Sequence, residues 1–130
     1  MHINLESDYA VRIVHQLARV CVRVDAKSLA QCTDVPPRFA LKILQKLVAA
    51  EIVISYKGAQ GGYALARKPG EITLRQVIEA VEGPYRFSRC LDGEYPCHCH
   101  EGTSCPYQTV FDEVTSLVIA KLDAVTFADL

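Results

Sequence analysis

No apolar run in the chain approaches about eighteen residues, so no membrane-spanning helix is expected. The start, MHINLESDYAVRIVHQ, lacks a basic stretch followed by an apolar one and does not read as a secretory signal. No G-x-x-x-x-G-K phosphate loop occurs, since GAQGG lacks both the lysine and the following helix. G-x-S-x-G is also missing, as are internal repeats and low-complexity tracts. These absences point away from a secreted protein, a nucleotide hydrolase or a serine hydrolase, and make the cytoplasm the expected compartment. Thiols stay mostly reduced there, and a cysteine cluster binds metal or senses redox more often than it staples a fold.

Such a cluster is present. CLDGEYPCHCHEGTSCP, residues 90–106, holds four of the six cysteines and two of the four histidines. The 130 residues allow one domain, or one domain with an appended element, and 50% of them are hydrophobic, enough for a core. The net charge of −1 conceals an uneven distribution. Residues 1–35 are neutral. Residues 36–68 carry Arg38, Lys42, Lys46, Lys57, Arg67 and Lys68 against Glu51 alone, a balance of +5. Residues 69–130 carry four basic and ten acidic residues, a balance of −6. A basic block in a neutral chain is either a solvated face or the footprint of a polyanion.

Leu5, Tyr9, Ile13 and Leu17 recur every four residues beside Ala10, Val14 and Ala18, which predicts an amphipathic helix capped by Asn4 or Ser7. Glu6 and Asp8 suit the positive end of its dipole. KSLAQCTD predicts a short second helix. VPPRFALKILQKLVAAE predicts a third, with Pro36 and Pro37 in its first turn and Thr33 or Asp34 as cap. Its inward stripe is Phe39, Ile43 and Leu47 with Ala40, Leu44 and Val48, leaving Arg38, Lys42, Gln45 and Lys46 outside. IVISYKGAQGGYALA reads as a β-hairpin around a glycine-containing tip. ITLRQVIEAVEG is a helix capped near Thr73 and ended by Gly83 and Pro84. Gly93, Pro96 and Gly102 mark the cysteine stretch as a loop. The last helix carries a stripe of Phe111, Val114, Val118, Leu122 and Val125.

The expected fold is therefore mainly α with a small β-hairpin. A winged helix-turn-helix over residues 1–83 is followed by a cysteine-rich loop at 84–106 and a dimerisation helix at 107–130. In such a fold the third helix enters the major groove by its N-terminal end, and the hairpin tip reaches phosphates or the minor groove. The basic block covers these two elements, so charge and architecture agree on double-stranded DNA as the partner. Thr33, Pro37, Arg38, Phe39 and Lys42 are the candidate contacts on the third helix, with Lys57, Gly58 and Gln60 on the wing. The apolar stripe at 105–127 is too long to stand uncovered, which predicts a homodimer with Val118 in its interface.

SDYAVRIVHQLA, SLAQCTDVPPRFALKILQKLVAAEIV and above all the wing KGAQGGYALA give the sequence its resemblance to winged-helix iron–sulfur transcription regulators of the IscR, NsrR and CymR family. TLRQVIEAVEG and the cysteine loop extend the likeness over nearly the whole chain. The resemblance implies a homodimer joined by the long C-terminal helix, operator binding as a regulator, repression in particular, and in many members a cluster on three cysteines before that helix. It implies no enzymatic activity. Glu51 departs from the pattern, since members usually end the recognition helix with glycine, at an expected cost of about 1 kcal/mol.

The loop pattern is C-x6-C-x-C-x5-C, through Cys90, Cys97, Cys99 and Cys105. Soft thiolates match iron, and an iron–sulfur cluster of two or four irons is the favoured cofactor. Either Cys97 or Cys99 is the middle ligand, or all four thiols take part. Gln108 stands where the IscR-like members have a histidine ligand and is a poor ligand for iron. Asp8 matches a carboxylate that some NsrR-like members lend from the partner subunit, although a first-turn aspartate ordinarily stabilises its own helix. His98 and His100 are further candidates, better read as solvated. Zinc is the lesser alternative, because its sites favour C-x2-C and the tightest pair here is C-x-C. A thiol switch and control by a partner protein, as in CymR-like relatives, stay open. Cys21 and Cys32 read as small apolar residues.

Overall fold

The computed structural model describes residues 2–95, 97 and 105–130. Cys99, His98 and His100 lie outside them. Asn4 opens α1 (Leu5–Val20) by accepting the backbone N–H of Ser7 at 2.9 Å. The buried face of α1 is Ser7, Ala10, Ile13, Val14 and Leu17. Leu5, expected on that face, is exposed. The first turn is instead a polar junction, where the Ser7 hydroxyl and the Asn4 N–H both donate to Glu82.

Asp25 caps α2 (Ala26–Thr33) through Ser28, and Asp34 ends it in the left-handed conformation at φ 54°. Thr33 and Asp34 therefore finish α2 and do not cap α3 (Pro37–Ala49). That helix starts without a side-chain cap, because Pro37 has the fixed φ and the missing N–H that suit a first turn. Ala40, Ile43, Leu44 and Leu47 face inward. Phe39, expected with them, is 42% exposed and meets Tyr9 edge-on with centroids 5.9 Å apart. Glu51 holds φ 59°, the left-handed geometry that favours glycine, so the departure noted in the sequence sits on a strained turn.

The wing is β1 (Val53–Tyr56) paired antiparallel with β2 (Gly62–Leu65), in register from Val53 opposite Leu65 to Tyr56 opposite Gly62. Val24 adds a rung by exchanging both backbone hydrogen bonds with Tyr63, at 2.9 and 2.8 Å. Two glycines are fixed by close backbone approach. A Cβ on Gly61 would lie 2.7 Å from the Tyr56 carbonyl, and one on Gly62 would lie 2.9 Å from that of Val24.

Thr73 and Gln76 form a reciprocal capping box at the start of α4 (Leu74–Glu82), which ends at Gly83 with φ 84°. The last helix is α5 (Pro106–Asp123). The chain then turns back. Phe127, only 2% exposed, joins the core, and residues 125–127 pair with 72–74 through Leu74 N–H to Val125 and Phe127 N–H to Ile72. The segment after α5 thus shares a core with α1, α3 and α4. Val114, Val118 and Leu122 face Ile78, Pro84 and Phe87 across an apolar cleft of about 620 Å³. Val118 is half-buried and lines this cleft. The large apolar residues of α5 that are exposed are Tyr107, Val110 and Leu117.

Candidate nucleic-acid interface and cysteine site

Helix α3 presents Pro37 and Arg38 to solvent at its uncapped N-terminus, where unpaired backbone N–H groups and the helix dipole favour an anion. Among the described residues, neither Arg38 nor Lys57 forms a salt bridge. The wing carries Lys57, Gly58 and Gln60 at its exposed tip. Gly58 takes φ 94°, and its carbonyl accepts the Gly61 N–H at 2.9 Å.

Two of the expected contacts are already engaged. Thr33 is 8% exposed, and its hydroxyl donates to the Leu29 carbonyl at 2.5 Å, so its side chain is not displayed at the surface. Lys42 donates to Glu6 at 2.5 Å and Lys46 donates to the other oxygen of the same carboxylate at 2.8 Å. Lys46 also reaches the Val81 carbonyl at 3.1 Å. These bonds tie α3 to α1 and α4. Hydrogen bonding from Lys42 first, then from Lys46, holds the Glu6 carboxyl below its ordinary range. The structure also shows a residue that block-by-block charge counting missed. Arg23 lies in the neutral first third of the sequence, yet its guanidinium carbon sits 3.9 Å from the centroid of the Tyr56 ring on the wing.

Of the cysteine loop, Cys90, Cys97 and Cys105 are described. Cys90 lies in a single 3₁₀ turn, Arg89–Leu91, opened by Ser88. The Ser88 hydroxyl is 3.2 Å from the Cys90 sulfur. Cys105 is the N-cap of α5. Gln108, one turn into α5, donates its side-chain N–H to the Cys90 carbonyl at 2.9 Å. This bond joins the turn carrying Cys90 to the helix headed by Cys105. Among the described residues, no three His, Cys, Asp or Glu side chains come together in a metal-holding set. Cysteine sulfur at a helix N-terminus and on a hydrogen-bonded turn is the soft donor type that iron–sulfur clusters use. Cys97 is exposed.

Asp8 pairs with Arg12 at 2.7 Å on its own helix, the arrangement expected of a first-turn aspartate. Cys21 and Cys32 are exposed and not packed as apolar residues. Cys21 is the left-handed C-cap of α1, and both thiols point to carbonyls three residues back.

Among the described residues, no helix is long and apolar enough to cross a membrane. Over residues 3–130 the chain matches the family model Rrf2, described as an iron-dependent transcriptional regulator. It is 30% identical to the protein rrf2 of Nitratidesulfovibrio vulgaris over 132 residues, covering 100% of this chain and 87% of that one. Among solved structures it resembles the IscR of T. potens with a TM-score of 0.80 at 25% identity, covering 99% of this chain and 85% of that one. It resembles CymR, the global cysteine regulator of B. subtilis, with a TM-score of 0.79 at 25% identity, covering 99% and 95%. These relatives are transcription regulators and not enzymes. The chain belongs to the Rrf2 family of winged-helix transcription regulators.

Proposed function

We propose that this regulator acts as a cytoplasmic homodimer that represses from a double-stranded DNA operator, and that an iron–sulfur cluster switches its affinity. Arg38, Pro37 and Phe39 face the major groove, with Lys57, Gly58 and Gln60 on the phosphates beside it. Lys42 reaches DNA only by leaving Glu6, and Thr33 supports the turn from behind. Tyr107, Val110 and Leu117 on α5 are the apolar surface a second copy would cover.

The observation that supports the cluster is the tie between Cys90 and the first turn of α5. It sets one thiol on a turn facing the helix end that carries another. Cys90, Cys105 and one or both of Cys97 and Cys99 would hold the cluster, and Asp8 of the partner subunit would join only by releasing Arg12. A bound cluster supplies a centre that oxygen, nitric oxide or iron shortage alters. The protein's part is to link the loop to α5, whose angle sets the spacing of the two recognition helices. Half-sites about one turn apart, roughly 34–36 Å, make that spacing a sensitive switch.

Anaerobic reconstitution with iron and sulfide, followed by iron and sulfide analysis, tests this reading. The expected result is a brown protein that loses its visible absorption in Cys105→Ser. Wild-type protein that binds neither element would sink it. One observation favours a second reading, a cluster-free regulator controlled by zinc, thiol oxidation or a partner protein. The Gln108 amide, at the place of the IscR-type histidine, is used on the Cys90 backbone. A colourless protein containing zinc, or no metal, would mark that case.

A further inference from the structure

We propose that Arg23 is the positioning residue of the wing, a latch that presets the hairpin tip for DNA. The proposal rests on the reading that the wing meets DNA. A hairpin of two four-residue strands is marginal by itself in water. This one is held from outside by residues 23 and 24. Val24 binds the backbone of Tyr63 on β2, and the absence of a side chain at Gly62 permits that approach. Arg23 reaches the other two parts. Its guanidinium lies over the Tyr56 ring on β1, and its Nη1 donates to the Gln60 carbonyl at the tip, 3.2 Å away. Strand β1, strand β2 and the tip are thus each tied to one dipeptide between α1 and α2.

The latch needs arginine specifically. A planar guanidinium stacks on an aromatic face while its edge donates hydrogen bonds, whereas a lysine ammonium is a hydrated point charge. The Gly58–Gly61 turn that displays Lys57 and Gln60 would otherwise be ordered only when DNA arrives, and affinity would fall by the cost of that ordering.

Arg23→Lys separates latch from charge, because it keeps the cation. Amide hydrogen exchange in the free protein should rise about ten-fold at Gly61, whose N–H is bonded to the Gly58 carbonyl, while the amides of α3 keep their rates. Binding to a random-sequence duplex should weaken about ten-fold with an unchanged salt slope, since no phosphate contact is lost. Tyr56→Leu should loosen the tip similarly, and adding Arg23→Lys to it should do little more. Tip exchange within two-fold of wild type in Arg23→Lys would overturn the latch. Faster tip exchange with unchanged DNA binding would overturn its role in recognition if Lys57→Ala still weakens binding. If Lys57→Ala also leaves binding intact, the wing does not meet DNA, and the reading on which the proposal rests fails instead.

Discussion

The two halves of the molecule organise function differently. In the recognition half, α3 and the wing stand on a core of Ala40, Ile43, Leu44, Leu47, Ile52 and Val53, each no more than 2% exposed. In the cysteine half, the described thiols are half-buried or exposed, on a 3₁₀ turn, at a helix N-cap and on the loop between them. The first is preorganised for a rigid partner whose groove geometry is fixed. The second has its thiols at the edges of secondary structure, where small movements cost little. The sensing role proposed for the cysteine half would use that looseness, whereas reading DNA does not need it.

Truncation in the two halves should expose this contrast most strongly. Leu44→Ala leaves a cavity in a fully buried site and should destabilise the fold by about 2–5 kcal/mol in denaturant titration. Cys105→Ser, at the half-buried N-cap, should shift the metal-free protein by less than about 1 kcal/mol. Equal losses would remove the distinction.

Leu117→Asp sharpens the comparison from a third surface. Leu117 is 72% exposed, so a charge there should leave the protomer folded but convert the proposed dimer to monomers on a sizing column. Operator binding should weaken accordingly. A dimeric Leu117→Asp protein would place the interface elsewhere.

Within the recognition half, position and specificity should separate. Lys57→Ala should weaken binding on all sequences and lower the salt slope by about one. Arg38→Ala should change sequence preference by about 1–3 kcal/mol at one base pair. Equal loss on operator and random duplex for Arg38→Ala would show that it positions the helix without reading bases.

The smallest effect concerns acid. Glu6 titrates lower in the folded chain than in the unfolded one, because Lys42 and Lys46 bind its charged form. Its contribution is therefore complete above the ordinary value of 4.5 and fades as pH falls through the lowered folded value. Glu6→Gln should flatten the stability profile in that acid range and change it little at lower pH. Unchanged acid sensitivity in Glu6→Gln would assign the fade to other carboxylates. Freeing Lys42 should also strengthen non-specific DNA binding slightly.

The sequence by itself determined what local physics controls. Period-four apolar spacing placed α1 and α3, Thr73 marked the start of α4, and the glycines of KGAQGGY announced a hairpin whose tip carries lysine. Helix–helix–hairpin order and the basic block then led to the interface. Caps were less legible, because Thr33 and Asp34 are good caps by type but lie at the end of one helix and the start of a turn at once. The tertiary structure alone decided which charges are free. Only folding brings Glu6 from α1 to Lys42 and Lys46, and Arg23 across 33 residues to Tyr56. It also decided which face of α5 lies across from residues 84–87 of its own chain. Such pairings depend on where elements cross in space, and a linear pattern records only which face each element would prefer to hide.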